Sequence, residues 1–167
     1  MKPTLPLAVI GLPPMWFPTV LRDLVTDSAQ GEWTEGGTAC VLEDDAVAGF
    51  CLMVRDRNML HESSGARKAV VPGALLSVML PALMPHLFDA CAEVGALIDA
   101  GGQRLPVAML RVGTAFQARI RLVSTKVKGG IVSLDVLAEI YSPKTRGSRE
   151  RVRARVTQSL IVKRRTA

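Results

Sequence analysis

From Ala69 to Pro85 the chain carries no charged residue and is mostly apolar, and the apolar character runs on to Leu97 with only Asp89 and Glu93 interrupting it. No other feature limits the fold as much. A segment apolar nearly all round belongs inside something, either a protein core or a bilayer. A spanning helix needs about 20 apolar residues in an unbroken run. Pro72, Pro81, Pro85, His86 and Asp89 break this one. The reading is therefore a core helix over Val70 to Leu97, buried on every side, with no membrane insertion. A proline inside a helix costs about 3 kcal/mol. The segment should accordingly be two helical pieces with a kink, or have Pro85 in the first turn of a second piece.

Strands must supply the walls around that helix. Phe116, Ala118, Ile120 and Leu122 alternate with Gln117, Arg119 and Arg121, a period of two. Lys126 to Gly130 forms a turn. Val132, Leu134, Val136, Ala138 and Ile140 then alternate with Ser133, Asp135 and Glu139. A polar loop from Ser142 to Arg151 leads to Val152, Ala154, Val156, Leu160 and Val162, with Arg153, Arg155 and Thr157 facing outward. A further strand is expected over Thr34 to Val41. Leu42 to Val54 reads as a short helix, with Val47, Phe50, Cys51 and Val54 on one stripe. Its acidic start, Glu43 to Asp45, complements the helix dipole. The class is α+β, an antiparallel sheet curled around a central apolar helix. Residues 1–32 are rich in proline and read as an arm preceding one domain over 33–167.

The chain has 167 residues, the length of one domain, and a net charge of +6. Eight of its basic residues crowd the last quarter, from Arg146 to Arg165. Such a surface suits a phosphate-bearing molecule or carrier as well as simple solvation. Nucleic acid is disfavoured: there is no zinc spacing, no recognition-helix pattern, and one Tyr and four Phe for stacking. Cys40, Cys51 and Cys91 are scattered in apolar surroundings and read as buried free thiols in a reducing, cytoplasmic setting. The prolines near the start spoil a signal helix. No spacing suits a metal.

Two segments could carry chemistry. Asp56 and His61 stand five residues apart in Arg55-Asp56-Arg57-Asn58-Met59-Leu60-His61. On a strand they would face opposite ways, and on a helix they would lie roughly 140° apart. They meet only if the chain bends between them, and Asn58 suits a bend. Further on, Gly73 opens the apolar helix. Its missing Cβ admits a ligand to backbone N–H groups that have no partner within the helix. Such donors can hold developing negative charge on an oxygen.

Asp-x-Asn-x-x-His after a short helix, with a glycine opening an apolar central helix, resembles the MaoC-like (R)-specific enoyl-CoA hydratases. Leu80-Pro81-Ala82-Leu83 in the central helix, the strand from Val112-Gly113-Thr114-Ala115-Phe116 to Ser124, and Gly129-Gly130 in the hairpin resemble the same family. The likeness runs from about residue 34 to 165. It implies a hotdog fold, normally dimeric, without cofactor or metal. It also implies hydration of a trans-2-enoyl thioester, or the reverse dehydration of a (3R)-hydroxyacyl thioester, carried on CoA or acyl carrier protein. Asp56 and His61 would hold the water, Asp56 as base and His61 helping to deliver a proton to the α-carbon. The Gly73 N–H would take the thioester oxygen, and Asn58 and Ser77 would border the substrate. Arg55, Met59 and Pro72 stand where the family commonly has glycine, proline and histidine. The stretch between the central helix and Gly113 reads as lacking the family's aromatic-rich strand, with Gly101-Gly102-Gln103-Arg104-Leu105-Pro106 in its place.

Plainer readings exist for each residue. Asp56 could cap a turn, Gly73 could merely start a helix, and Ser77 could bond back to its own helix. Arg119 and Arg121 read as solvated strand-face residues. The competing functional class is a non-catalytic hotdog subunit that binds an acyl thioester. A hotdog thioesterase is a further option.

Overall fold

The structure, a computed structural model, describes residue 16 and residues 19–165. Helix α1 (Thr19–Ala29) and a two-residue strand β1 (Thr34–Glu35) precede helix α2 (Asp44–Val54) and a 3-10 turn (Met59–His61). Three short helices follow, α3 (Gly73–Val78), α4 (Leu80–Leu83) and α5 (Pro85–Val94). The rest is β2 (Gly95–Pro106), β3 (Gln117–Lys128), β4 (Ile131–Ser142) and β5 (Arg151–Arg164). The five strands form one antiparallel sheet in the order β1-β3-β4-β5-β2.

The alternation along the long strands decides which face meets the helices. Ala118, Ile120 and Leu122 of β3, Val132, Leu134, Val136, Ala138 and Ile140 of β4, and Ala154, Val156, Leu160 and Val162 of β5 are all buried. They pack in one cluster with Leu76, Leu80, Leu83, Leu87, Phe88 and Cys91 of the central segment. The turn from β3 to β4 is two residues, Gly129-Gly130. Gly129 has φ 61°, a conformation that costs an L side chain energy but not glycine.

The central segment breaks at its prolines. Pro85 occupies the start of α5 and Pro81 the first turn of α4, where a missing N–H removes no helical bond. Four expectations change. Leu97 is not helical: the chain turns directly from Val94 into β2, so the strand read as missing is present. Gly101 and Gly102 look like breakers in the sequence but build a bulge in β2. Gly101 has φ 94°, and a Cβ on Gly102 would lie 1.9 Å from the Thr157 carbonyl oxygen. The central helices are also not buried all round, because the sheet wraps only one side: Ala74, Val78, Pro81, Ala82 and His86 are exposed. The strand expected over Thr34 to Val41 shrinks to Thr34–Glu35 and a lone bridge from Cys40 to Phe116.

The fourth change concerns the proline-rich arm, which contains α1. Leu21, Leu24 and Ser28, at helical spacing, are fully buried against the core. Ser28 Oγ accepts from the Leu122 N–H, 2.9 Å away, beside the register shift in β3. A buried donor left open beyond the end of β1 is thereby satisfied.

Candidate active site

Helix α2 ends in a motif that aims Asp56. The Arg55 N–H donates to Leu52 O and the Asp56 N–H to Cys51 O, the paired bonds of a Schellman ending. That ending requires a left-handed residue, and Arg55 takes it at φ 58°. Among the described residues it is the only non-glycine with positive φ. A side chain there costs roughly 1–2 kcal/mol, so this bend is held against strain. It is also where glycine is the family's usual residue.

Two side-chain turns then carry the chain to His61. Asp56 Oδ1 accepts from the Asn58 N–H at 2.9 Å, and Asn58 Oδ1 accepts from the Leu60 N–H at 3.0 Å. Asn58 Oδ1 thus shapes the bend. The loop is pinned from outside by Ser63, which donates to Asp44 Oδ1 and accepts from the Ala69 N–H. His61 Nδ1 lies 2.6 Å from the Val70 carbonyl oxygen. A carbonyl only accepts, so Nδ1 carries a proton and Nε2 is the ring nitrogen left to face Asp56. Nε2 stands 3.4 Å from Asp56 Oδ2. That exceeds an ordinary direct hydrogen bond. Both atoms can therefore serve one small polar molecule placed between them.

The pair borders a cleft of about 640 Å³, lined also by Asp44, Cys51, Leu52 and Asn58. The His61 side chain is 14% exposed and Asp56 33%, so solvent reaches the carboxylate more freely than the ring. Burial, and then the charges of Asp56 and Glu62, push the Cys51 thiol up. A protonated thiol beside the pair is no nucleophile. Cys91, deeper in the core, is pushed up to about 11 by burial. Among the described residues, no group of three or more His, Cys, Asp or Glu could hold a metal ion.

His61 also borders a second cleft, of about 170 Å³, with Gly73, Leu76, Arg104, Leu110 and Arg153. The imidazole is the wall shared by the two clefts; Asp56 lines the first and Gly73 the second. No protein-family model and no curated relative matches the sequence. Solved structures do match in shape. The HadBC (3R-hydroxyacyl-ACP dehydratase) complex of Mycobacterium tuberculosis superimposes with TM-score 0.61 at 11% identity, over 77% of this chain and 93% of that one. A MaoC-like dehydratase from Rhodospirillum rubrum gives 0.59 at 16%, over 81% and 93%. The (R)-hydratase from A. caviae involved in PHA biosynthesis gives 0.55 at 18%, over 77% and 92%. The chain has the hotdog fold of the MaoC-like dehydratases and (R)-hydratases.

Other residues singled out in the sequence lie away from the pair. Ser77 Oγ donates to Gly73 O at 3.1 Å and borders a separate cleft with Val78, Pro81 and Gln103. Arg119 is not solvated: it stacks on Tyr141 and Trp33 and donates to Glu139 and Glu150. Arg121 likewise lies over Trp33, 4.6 Å from its ring centre. Arg153, read as outward, turns its guanidinium to the Met109 carbonyl and the Ser142 hydroxyl and walls the second cleft. Arg104 was missed altogether. No sequence signal gives its direction, because the bulge in β2 resets which residues face inward. Among the described residues, no helix is long and apolar enough to cross a membrane.

Proposed function

We propose that this hotdog chain belongs with the MaoC-like enzymes and is a hydratase or dehydratase of 2-enoyl and (3R)-hydroxyacyl thioesters carried on CoA or acyl carrier protein. The observation that carries the proposal is His61 Nε2 facing Asp56 Oδ2 at 3.4 Å, with the ring fixed through Nδ1 by Val70. In hydration, a water between the two groups gives a proton to Asp56 while its oxygen bonds to C3 of the enoyl group. The electron pair of the C2–C3 double bond shifts toward the thioester carbonyl, whose oxygen gains charge at the Gly73 N–H. C2 then takes a proton from the imidazolium Nε2, which leaves Asp56 protonated and His61 neutral. Transfer of that proton from Oδ2 to Nε2 restores the pair. Positioned acid–base groups of this kind contribute roughly 10²–10⁴-fold to rate. Lys68, Arg111 and Arg151 form a basic rim nearby, suited to the phosphate of a pantetheine carrier.

The reading includes a homodimer. Among the described residues, the outer edge of β2 has no partner strand. Ile98 is 52% exposed, Leu105 61% and Met109 61%, and Val78 on the neighbouring helix is 67% exposed. A long apolar edge of this kind pairs with another chain unless something blocks it. The free, buried thiols of Cys51 and Cys91 suit a reducing, cytoplasmic setting. The decisive assay follows loss of the enoyl-thioester absorbance with enoyl-CoA and enoyl-carrier substrates of graded length. Turnover that vanishes in Asp56→Asn and His61→Ala is the expected result. A wild-type protein inert on every length and both carriers, or one that releases free thiol, overturns the reading.

A further inference from the structure

Arg104 stands on β2, the edge strand of the sheet, is exposed, and lines two adjoining clefts. It pairs across the sheet with Val156, which is 5% exposed on the helix-facing side. Cross-strand partners share a face, so Arg104 points inward toward the central helices. Its guanidinium lies over Gly73 so closely that a Cβ there would sit 1.5 Å from Nη1 and 2.2 Å from Cζ. Residue 73 must be glycine for this approach, whatever else its backbone does. Arg104 makes no hydrogen bond or ion pair with any described residue. The cleft it enters contains a second guanidinium, from Arg153, and the His61 ring. Its remaining walls are apolar or glycine, and no carboxylate lines it. Burial, and then Arg151, hold the Arg153 guanidinium below its ordinary range, as expected where positive charge lacks a counter-ion.

An accessible guanidinium at the wall of a largely apolar cleft with no acidic neighbour suits an anion. Its position beside Gly73 and His61 fixes which anion. If the hydratase reading holds, and this inference rests on it, the thioester carbonyl lies at Gly73. The length of the pantetheine arm keeps the carrier's phosphates away from that point. The charge that meets Arg104 therefore belongs to the acyl group. Because the guanidinium lies against Gly73, a carboxylate that meets it stands only a few atoms from the thioester carbonyl, so the acyl group is short. We propose that Arg104 selects short 2-enoyl thioesters whose acyl chain ends in a carboxylate.

The test compares the trans-but-2-enedioyl monothioester with its methyl ester and with the but-2-enoyl thioester. Each is made both on CoA and on phosphate-free N-acetylcysteamine. Wild-type protein should favour the carboxylate at least tenfold in kcat/KM on both carriers. Arg104→Met should erase that preference, and Arg104→Lys should restore part of it. Equal use of charged and neutral acyl groups by the wild type overturns the proposal without any variant. So does an Arg104→Met loss equal on all acyl groups, which would put the guanidinium on the thioester oxygen, or one confined to CoA, which would put it on phosphate. Calorimetric titration with unreactive thioether analogues separates this idea from the hydratase reading. Tighter Arg104-dependent binding of the carboxylated analogue, with no turnover of any thioester, would keep the site and discard the reaction.

Discussion

The two faces of the sheet handle charge in opposite ways. On the outer face, Glu139 is 6% exposed and accepts from Arg119 through Oε2 and from Arg155 through Oε1. Arg119 reaches on to Glu150 and lies against two aromatic rings. Tyr141, pushed up to about 12 by burial and then by Glu35, donates to Glu35 and accepts from Gln117. The donors of Arg119, Arg155 and Tyr141 are all answered there. At the inner end, Asp56 Oδ2 and His61 Nε2 stop short of each other, and Arg104 meets no anion. A closed polar network stiffens a fold. Charge left open at the wall of a cleft can bind or react.

The contrast orders the expected effects. The largest belong to the open face: Asp56→Asn or His61→Ala should lower kcat at least 100-fold while moving the melting temperature little. A parallel collapse of both would show that the pair is scaffolding, as on the outer face. Glu139→Gln should do the reverse. Removing one member of a buried charge network leaves the rest uncompensated and costs about 3 kcal/mol, read by urea unfolding. Turnover at a temperature where the variant is folded should persist.

Intermediate effects should come from the exposed edge. Placing charge there, as in Ile98→Lys with Leu105→Glu, should shift the protein from dimer to monomer in light scattering. A wild type that is already monomeric at micromolar concentration refutes the homodimer. Smaller still is Arg55→Gly. It relieves roughly 1–2 kcal/mol of backbone strain but gains unfolded-state entropy worth roughly 0.5–1 kcal/mol. A net stabilisation under about 1 kcal/mol is expected, with kcat unchanged unless the strained side chain itself aims Asp56.

The smallest effect is a matter of acidity. Hydrogen bonds from Ser124 and Ser159 hold the Asp135 carboxyl below its ordinary value, and Lys126 adds to them against the burial that opposes it. A depressed folded value stabilises the protein above the unfolded value, about 3.9. That stabilisation disappears as pH falls through the folded value. Ser124→Ala with Ser159→Ala should therefore lower the melting temperature at neutral pH, and the gap should close in acid. A gap independent of pH would assign the serines to packing alone.

That Asp56 and His61 would meet was legible because the bend between them is made locally. A helix ending, a left-handed residue and an Asn turn bring Asp56 to His61 within one short stretch, and residue types at fixed spacing record that. The three long strands were legible for a similar reason, since period-two alternation states directly which face is apolar. Helix α1 was obscured by the prolines before it, although Leu21, Leu24 and Ser28 already carry its stripe. Asn58, which suits a bend by its residue type, shapes that bend and also lines the larger cleft.

By itself, the sequence determined the inward faces of β3, β4 and β5, the breaks at Pro81 and Pro85, and the bend that faces a carboxylate to an imidazole. Each follows from periodicity or backbone stereochemistry, which act over a few residues. Only the tertiary structure decided that glycines build a bulge in β2 rather than end it, that Arg119 is locked between rings and carboxylates, and that Arg104 lies on Gly73. Those outcomes depend on register and on what approaches from elsewhere in the chain, and a linear pattern contains neither.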